Sequence, residues 1–474
     1  MINVVVIKTV AGNRNNSSAA LNNQGSNGNY WSSSVSGTNA SNLNFNATNV
    51  NPANANNRAN GLTVRCLKGL ANMGKNNENQ QLLLDLFRAY FDTRKNKRRT
   101  ANALAFEAGY ESKLFILYEE IINRKYKIGQ SICFMVEKPV KREIFAADFR
   151  DRIVHHLIFN YINPIFEHHF IKDSYSCRIG KGTSEGIRRV NYFIRSCSLN
   201  YQRDCYILKL DIQGYFMAMD RDILYRKIEN KLRTVKNANF DVDLILYLIY
   251  EVIYNDPTKN CHIKGKRSDW NGLPKSKSLF FSKKGKGFPI GNLTSQLFGN
   301  IYLDDLDHFI HEKLEIKYYG RYVDDMVFIH NDKEFLKLAV CRIREYLIIE
   351  LGLVLHPKKI YLQHFKNGVY FLGVFIKPHR IYIGKKTKHN FYEKIRGWNK
   401  ENEKNKGVMD KNKLEKFVAC VNSYLGIMKH YKTYKLREKM MIKSVSGLWK
   451  NYFFSNESYN KIEHFPTCRT CGKM

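Results

Sequence analysis

The stretch YYGRYVDDMVFIH, residues 318–330, constrains the fold of this chain more than any other. Two short apolar runs of β type flank the adjacent acids Asp324 and Asp325, so the segment reads as a hairpin carrying its acids at the turn. Adjacent residues on a straight strand point to opposite faces, and a turn is needed to present both carboxylates together. Upstream, CYILKLDIQGYF (residues 205–216) alternates, with Leu208, Leu210 and Ile212 on one side and Lys209 and Asp211 on the other. That pattern predicts a half-buried strand ending in a carboxylate. A lone Asp–Asp pair is more often a solvated turn than a metal site. A third acid on a strand end makes the solvated turn the poorer explanation.

Carboxylates of this kind suit Mg²⁺, which takes few protein oxygens and fills its sphere with phosphate and water. Two such ions about 3.5–4 Å apart serve the joining of a nucleotide to a strand end, one at the attacking hydroxyl and one at the pyrophosphate. The charge balance points the same way. Lys and Arg number 77 against 43 acids, a net charge of +34, of which residues 81–474 carry +29. Such an excess favours a polyanionic partner. No apolar run approaches the length of a membrane span, which favours nucleic acid over an anionic membrane surface as that partner. Ten cysteines without pairing rhythm fit a reducing, cytoplasmic location. Cys468 and Cys471, with His464 upstream, supply three zinc-type ligands without an evident fourth; a frayed tail with free thiols is the plainer reading.

Along the chain, LLLDLFRAYFDTRKNKRR and SKLFILYEEIINRKY read as amphipathic helices, and DFRDRIVHHLIFNYINPIFEHHF as a third that stops near Asn163–Pro164. Residues 259–286 form a Gly-punctuated loop with nine Lys/Arg and one Asp. A long helix opens after Pro289 and Gly291. Another is predicted at about 333–351, and residues 387–455 read as helical, basic and aromatic.

Taken together these segments resemble the reverse transcriptases. By that resemblance KREIFAADFRDRIVHH and SYSCRIGKGT match fingers motifs, LKLDIQGYF the first palm carboxylate and YVDD the catalytic hairpin. LGLVLHPKK matches the segment near the incoming triphosphate and VYFLG the primer grip. The likeness runs from about Leu82 to Ile376. It implies an α+β right-hand polymerase with helical fingers (81–205), an α/β palm bearing a small antiparallel sheet (206–380, with a basic insertion at 256–287) and a helical thumb and tail (381–474). IGNLTSQ, AADFRDRIVHH and LPKSKSLF resemble in particular the reverse transcriptases of diversity-generating retroelements. A retron-like or defence-associated enzyme is the alternative, and a non-catalytic RNA-binding protein on a polymerase scaffold the alternative of another class.

The resemblance assigns roles residue by residue. Asp211, Asp324 and Asp325 become ligands of two Mg²⁺ ions, for which Mn²⁺ can substitute. Phe216 matches an aromatic gate against a ribose 2′-hydroxyl, with a plain core aromatic as the competing reading. Arg142 matches a residue gripping the triphosphate, where a guanidinium fork suits phosphate oxygens; a generic backbone contact is the alternative. Lys359, or its neighbour Lys358, would protonate the leaving pyrophosphate, with a solvated charge as the competing reading. Gly291 and Gln296 would line the nucleotide pocket. Arg178, Lys181, Lys283, Lys284 and Arg321 are the expected nucleic-acid contacts, and the basic loop positions the backbone without reading sequence.

The front of the chain differs in character. Between Asn13 and Asn60, 17 of 48 residues are Asn, with no acid and no Lys. Its composition predicts disorder over residues 1–80. Asparagine codons begin AA and end in a pyrimidine, so errors at those adenines vary the residue without creating a stop. Residues 29–66 also resemble the closing stretch of lectin-like variable proteins. The leader is therefore read as a template repeat translated into the polymerase frame, with a low-complexity linker as the rival. The expected partners are the template-repeat RNA, its cDNA, dNTPs and a small basic accessory protein.

Overall fold

In a computed structural model of the chain, the described residues are 77–464, apart from 96–99, 138–139, 237, 406–409 and 446, together with strand segments between Asn13 and Asn57. The chain divides into two compact units, one of residues 1–126 and 237–245, the other of residues 127–236 and 246–474.

The first unit opens on a two-strand ladder, β1 (Asn13–Arg14) with β2 (Leu21–Asn22), and an antiparallel meander of β3 (Gly28–Ser36), β4 (Asn39–Phe45) and β5 (Val50–Asn57). These ladders differ from the disorder that composition predicts for the leader. Paired strands satisfy each other's backbone groups. Three helices follow: α1 (Asn77–Arg94), α2 (Ala101–Glu107) and α3 (Tyr110–Ile122). Leu83, Leu86, Phe87 and Tyr90 on α1, and Leu114, Leu117, Tyr118 and Ile121 on α3, recur at three- and four-residue spacing and are all buried. Tyr90 stacks on Tyr110 with ring centres 4.7 Å apart.

The second unit begins with β6 (Ser131–Val136), β7 (Arg142–Ala146), α4 (Phe149–Glu167), α5 (Thr183–Cys197), β8 (Tyr206–Asp211), α6 (Tyr215–Ala218) and α7 (Arg221–Arg233). Helix α8 (Val242–Tyr254) runs across the division at residue 245, and β9 (Cys261–Ile263) follows. Next come α9 (Leu293–His308), β10 (Tyr318–Tyr322), β11 (Asp325–His330), α10 (Lys333–Leu351), β12 (Tyr361–His364), β13 (Val369–Phe371), β14 (Val374–Lys377) and β15 (Arg380–Ile383). The chain closes on α11 (Lys385–Lys404), α12 (Lys411–Met428), α13 (Tyr434–Ser444) and a small ladder of β16 (Phe453–Ser455) with β17 (Ile462–His464). Helices and small, mostly antiparallel sheets make this the expected α+β class.

A four-stranded antiparallel sheet has the order β10-β11-β8-β12. It is buried on both faces, where the alternation of β8 predicts one. Leu208, Leu210, Met326 and Phe328 fill one face, and Tyr319 and Arg321 of β10 share it. On the other face Ile207, Val327 and Ile329 pack with Val190 and Phe193 of α5 and with Phe371 and Ile376 of β13 and β14. The second cover comes from elements distant in sequence, so β8 alone cannot reveal it.

Helix α10 matches its predicted span, capped at the start by Asp332, which accepts from the backbone of Glu334 and Phe335, and stopped by Gly352 in the left-handed conformation. Helix α4 runs past Asn163–Pro164 to Glu167. Proline in the last turn removes one backbone donor, and the three residues beyond it still complete the helix end. The basic insertion is also ordered. Strand β9 pairs with β6 in parallel, and buried Glu143 of β7 accepts from Trp270 Nε1 (2.6 Å), Ser278 Oγ (2.7 Å) and the Leu279 N–H (2.6 Å). Apart from these elements, residues 391–462 gather their own core around Phe391, Phe417, Val421, Leu425 and Trp449.

Candidate active site

The hairpin turn is two residues long. Tyr322 pairs with Asp325, leaving Val323 and Asp324 as the loop. Such loops need positive φ and favour Asn or Gly. Here a β-branched residue takes that role, Val323 at φ +57. The conformation costs on the order of 1–3 kcal/mol and persists only where its surroundings enforce it. Arg321 does the enforcing. Its Nη1 donates to the Val323 carbonyl at 3.0 Å, while Nε and Nη2 hold Asp307 of α9 at 2.8 and 2.6 Å. The Tyr319 hydroxyl donates to the same carboxylate at 2.7 Å, and both members of the ion pair are fully buried.

Asp211 and Asp325 sit directly opposite each other on β8 and β11, so their side chains share a face. Lys359 Nζ is 2.8 Å from both oxygens of Asp211, and Lys209 Nζ is 2.9 Å from Asp325 Oδ1. Lys359 reaches its partner because the chain before it is drawn onto the end of β8. The Gln213 N–H donates to Val354 O at 2.9 Å, and the His356 N–H to Asp211 O at 2.8 Å. Burial, then Asp211 and with less effect Asp325, push the Asp324 carboxyl up to about 6, while its own backbone N–H and Lys359 oppose them. Burial also raises Asp325, against the pull of Lys209.

Three carboxylates and two ammoniums thus crowd one strand end. The donors are all hard oxygens, and acids that resist ionising beside one another gain from a nearby cation. The set fits Mg²⁺ or Mn²⁺, with Asp211, Asp324 and Asp325 as the residues able to hold it. As they stand, their oxygens do not gather within 4.8 Å as a group of three. Lys359 and Lys209 hold Asp211 and Asp325 instead.

Other expected site residues lie on β7, on α6 and at the start of α9. Gly291, at φ +129, lies against β7, and a Cβ there would meet Ile144 Cγ2 at 2.8 Å and Phe145 O at 3.1 Å. That approach lets the Phe145 N–H donate to Ile290 O (2.9 Å) and the Ala147 N–H to Asn292 Oδ1 (3.1 Å), zipping IGN onto the strand that carries Arg142. Arg142 is exposed and close enough to Tyr322 of the hairpin to act on its hydroxyl electrostatically. Gln296 is exposed in the first turn of α9. Phe216 is half-buried, its ring against Gly299 of α9. Of the two candidate lysines, Lys359 meets Asp211, and Lys358 is exposed.

Two expected nucleic-acid contacts are structural instead. Arg321 is enclosed in the Asp307 clamp, with no surface left for a phosphate. Arg178 has a side chain only 6% exposed; it pairs with Glu167 at 2.9 Å and donates to the carbonyls of Ile171 (2.6 Å) and Ser174 (2.9 Å). In both cases a carboxylate and backbone carbonyls have already taken the guanidinium fork. Lys181 is half-exposed with Nζ on Lys172 O at 2.9 Å, while Lys283 and Lys284 are exposed. Further along, a cleft of about 490 Å³ is lined by Arg380, Lys388, Lys432, Lys435 and Arg437. His464 is the last described residue; Cys468 and Cys471, the other possible zinc ligands, lie outside the described residues.

Sequence reasoning missed Lys209, Val323, Asp307 and Glu143. The signal for Lys209 was present, since a residue two before Asp211 on a strand shares its face. Glu143 depends on partners far along the chain, Asp307 on Arg321 14 residues on, and Val323 stands where a tight turn ordinarily takes Asn or Gly.

A family model described as "Reverse transcriptase (RNA-dependent DNA polymerase)" matches residues 138–376. That span holds every site residue named above for the hairpin and its neighbours, and it starts well after Leu82. Among curated proteins the chain is similar to Protein YkfC of Escherichia coli (strain K12), 24% identical over 214 residues, which cover 45% of this chain and 49% of that protein. The chain thus spans about half the length of this curated relative. Among solved structures it is similar to a telomerase of Candida albicans in complex with a TWJ fragment of telomeric RNA: 12% identity, 69% of this chain and 63% of that chain, TM-score 0.41. A C-terminally truncated apo telomerase of Candida tropicalis gives 14% identity, 54% and 55% coverage and a TM-score of 0.39.

Proposed function

The chain belongs to the reverse transcriptase (RNA-dependent DNA polymerase) family, and on that premise we propose that it synthesises DNA on an RNA template, with Asp211, Asp324 and Asp325 as its catalytic carboxylates. The observation that carries this reading is the opposition of Asp211 and Asp325 on adjacent strands, with Asp324 in the tight turn that leads from β10 into β11. Two bound Mg²⁺ ions would supply Lewis acidity at the primer hydroxyl and the leaving pyrophosphate. The chain's own residues do the rest. Lys359 carries the proton that the pyrophosphate takes up, Arg142 binds the triphosphate, and Phe216 excludes a ribose 2′-hydroxyl. Gly291 and Gln296 shape the pocket of the nascent pair, and Lys181, Lys283 and Lys284 hold the nucleic-acid backbone. In this reading the sheet and α9 form a palm, with fingers before residue 206 and a thumb after residue 380.

The finer reading is a diversity-generating retroelement enzyme acting in the cytoplasm with a small basic accessory protein. IGNLTSQ and the Asn-rich leader support it. The template-repeat RNA is then copied with errors opposite adenine. Carboxylates treat all four triphosphates alike, so selectivity must come from the pocket wall around Ile290, Gly291, Ser295 and Gln296, where about 1.4 kcal/mol changes insertion tenfold.

Primer extension on the repeat RNA, with cDNA sequencing, tests both levels. Asp211→Asn and Asp324→Asn should each reduce extension by about a thousandfold or more, since several kcal/mol of transition-state stabilisation is lost. RNA binding should be unchanged. Extension by either variant at the wild-type rate would remove the site assignment and leave an RNA-binding scaffold. Errors spread evenly over the four template bases, with and without the accessory protein, would leave a polymerase and remove the retroelement reading.

A further inference from the structure

At the C-terminal end of α9, three ligand-type side chains converge. Asp304 and His308 are one turn apart on α9, and His169 follows the last turn of α4. One ligand atom from each lies within 4.8 Å of the other two, the one such trio found among the described residues. His169 Nδ1 is 2.5 Å from Asp304 Oδ2, and His308 Nε2 is 3.8 Å from Asp304 Oδ1. Asp304 is only 4% exposed, and its Oδ1 has no hydrogen-bond partner. A buried carboxylate oxygen without a donor is costly and calls for a positive partner. Behind His308, Nδ1 meets Glu312 Oε1 at 2.9 Å. A carboxylate so placed fixes the imidazole tautomer and turns Nε2 toward a metal. His308 Nε2 also approaches His169 O at 3.1 Å, a contact it would exchange for an ion. The side chains of His169 and His308 are 40% and 30% exposed, which opens a way in from solvent.

We propose that His169, Asp304 and His308 form a Zn²⁺ site, with Glu312 orienting His308. Two imidazoles and a carboxylate, leaving one position for water, are a three-ligand zinc set, and the nitrogen donors separate it from the all-oxygen hairpin. Ligands about 2.0–2.1 Å from a tetrahedral ion stand about 3.3–3.4 Å apart. That spacing falls between the two distances to Asp304, and every pair of the three ligand atoms lies within 4.8 Å. The ion ties the segment after α4 to the helix whose Asp307, three residues on from Asp304, clamps Arg321. It therefore braces the helix behind the catalytic sheet and takes no part in the reaction.

The test uses the full chain with Cys468→Ser and Cys471→Ser, which removes the tail cysteines as competing ligands. Zn²⁺ alone is titrated against a chromophoric chelator, Co²⁺ is followed by its visible absorption, and thermal unfolding is recorded with and without Zn²⁺. One equivalent of Zn²⁺, intense cobalt bands of a tetrahedral site and a Zn²⁺-dependent rise in Tm are expected. His169→Ala and His308→Ala should lose the equivalent and the Tm rise. Glu312→Gln, at a mostly exposed position, should weaken binding by about 10–100-fold. Asp324→Asn should bind as the parent does. Absence of the equivalent from the parent, or its retention at parental affinity in either histidine variant, overturns the proposal.

Discussion

Arg321 carries the sharpest lesson at the scale of single residues. Beside two catalytic-type acids, an arginine reads naturally as a phosphate contact. Strand alternation points elsewhere, because Arg321 pairs with Met326 and so shares the face of Leu208, Leu210 and Phe328. Its charge is spent on Asp307 and on the carbonyl of strained Val323. It is a positioning residue for the turn that presents Asp324. Arg321→Met should lower the unfolding free energy by about 3–5 kcal/mol, because Asp307 is left buried and unpaired. Adding Asp307→Leu should restore most of that stability, since an apolar pair avoids the desolvation of both charges. Denaturant unfolding of the single and double variants checks the pair. A single variant as stable as the parent would refute the clamp.

The elements most legible in the sequence were those whose signals are local. The hairpin declared itself by two apolar runs around a polar turn, and α10 by Asp332 at one end and Gly352 at the other. The placing of the three Asp residues at a strand end and a turn was legible for the same reason, because strand ends and turns are local features. The burial of Arg178 stayed hidden although its partners Glu167, Ile171 and Ser174 lie within 11 residues of it; the rest depended on distant partners: the second cover of the central sheet and the docking of the basic insertion on Glu143. His155 is another such case, on the junction of α4 with α9. Its Nδ1 meets Thr294 Oγ1 at 2.8 Å, and burial, with His156 and Arg152 adding, pushes the ring down to about 3. The unfolded chain protonates this residue near 6.5, and the folded chain keeps it neutral well below that. Between those values the unfolded state holds the extra proton, so stability falls with pH by about 1.4 kcal/mol per unit. Relative to His155→Gln, whose amide can still meet Thr294 and does not titrate, the parent should lose about 2 kcal/mol between pH 6.5 and 5. Parallel stability curves for the two proteins would rule out a neutral buried His155.

For the whole molecule the governing quantity is charge, and the structure divides the cations into those with an internal task and those without. Arg321, Arg178, Lys209 and Lys359 answer acids within the fold. Lys283 and Lys284 stand exposed on an insertion anchored by Glu143, and Lys388, Lys432 and Lys435 line the cleft after the central sheet. Net charge alone, +29 over residues 81–474, could not make this distinction. RNA binding can. Each phosphate neutralised on a single strand contributes about −0.7 to the slope of log affinity against log salt. An enzyme engaging six to eight phosphates therefore shows a slope of roughly −4 to −6. Replacing Lys283 and Lys284 with Ala should make that slope shallower by about 1.4 and weaken binding at low salt. Arg178→Gln should leave the slope as it was, because its guanidinium never met the phosphates, and any loss should appear in Tm instead. Filter binding or fluorescence anisotropy across a salt series reads both outcomes. If Arg178→Gln flattens the slope and the lysine pair does not, the nucleic acid follows the other set of cations, and the internal pairing of Arg178 opens when RNA binds.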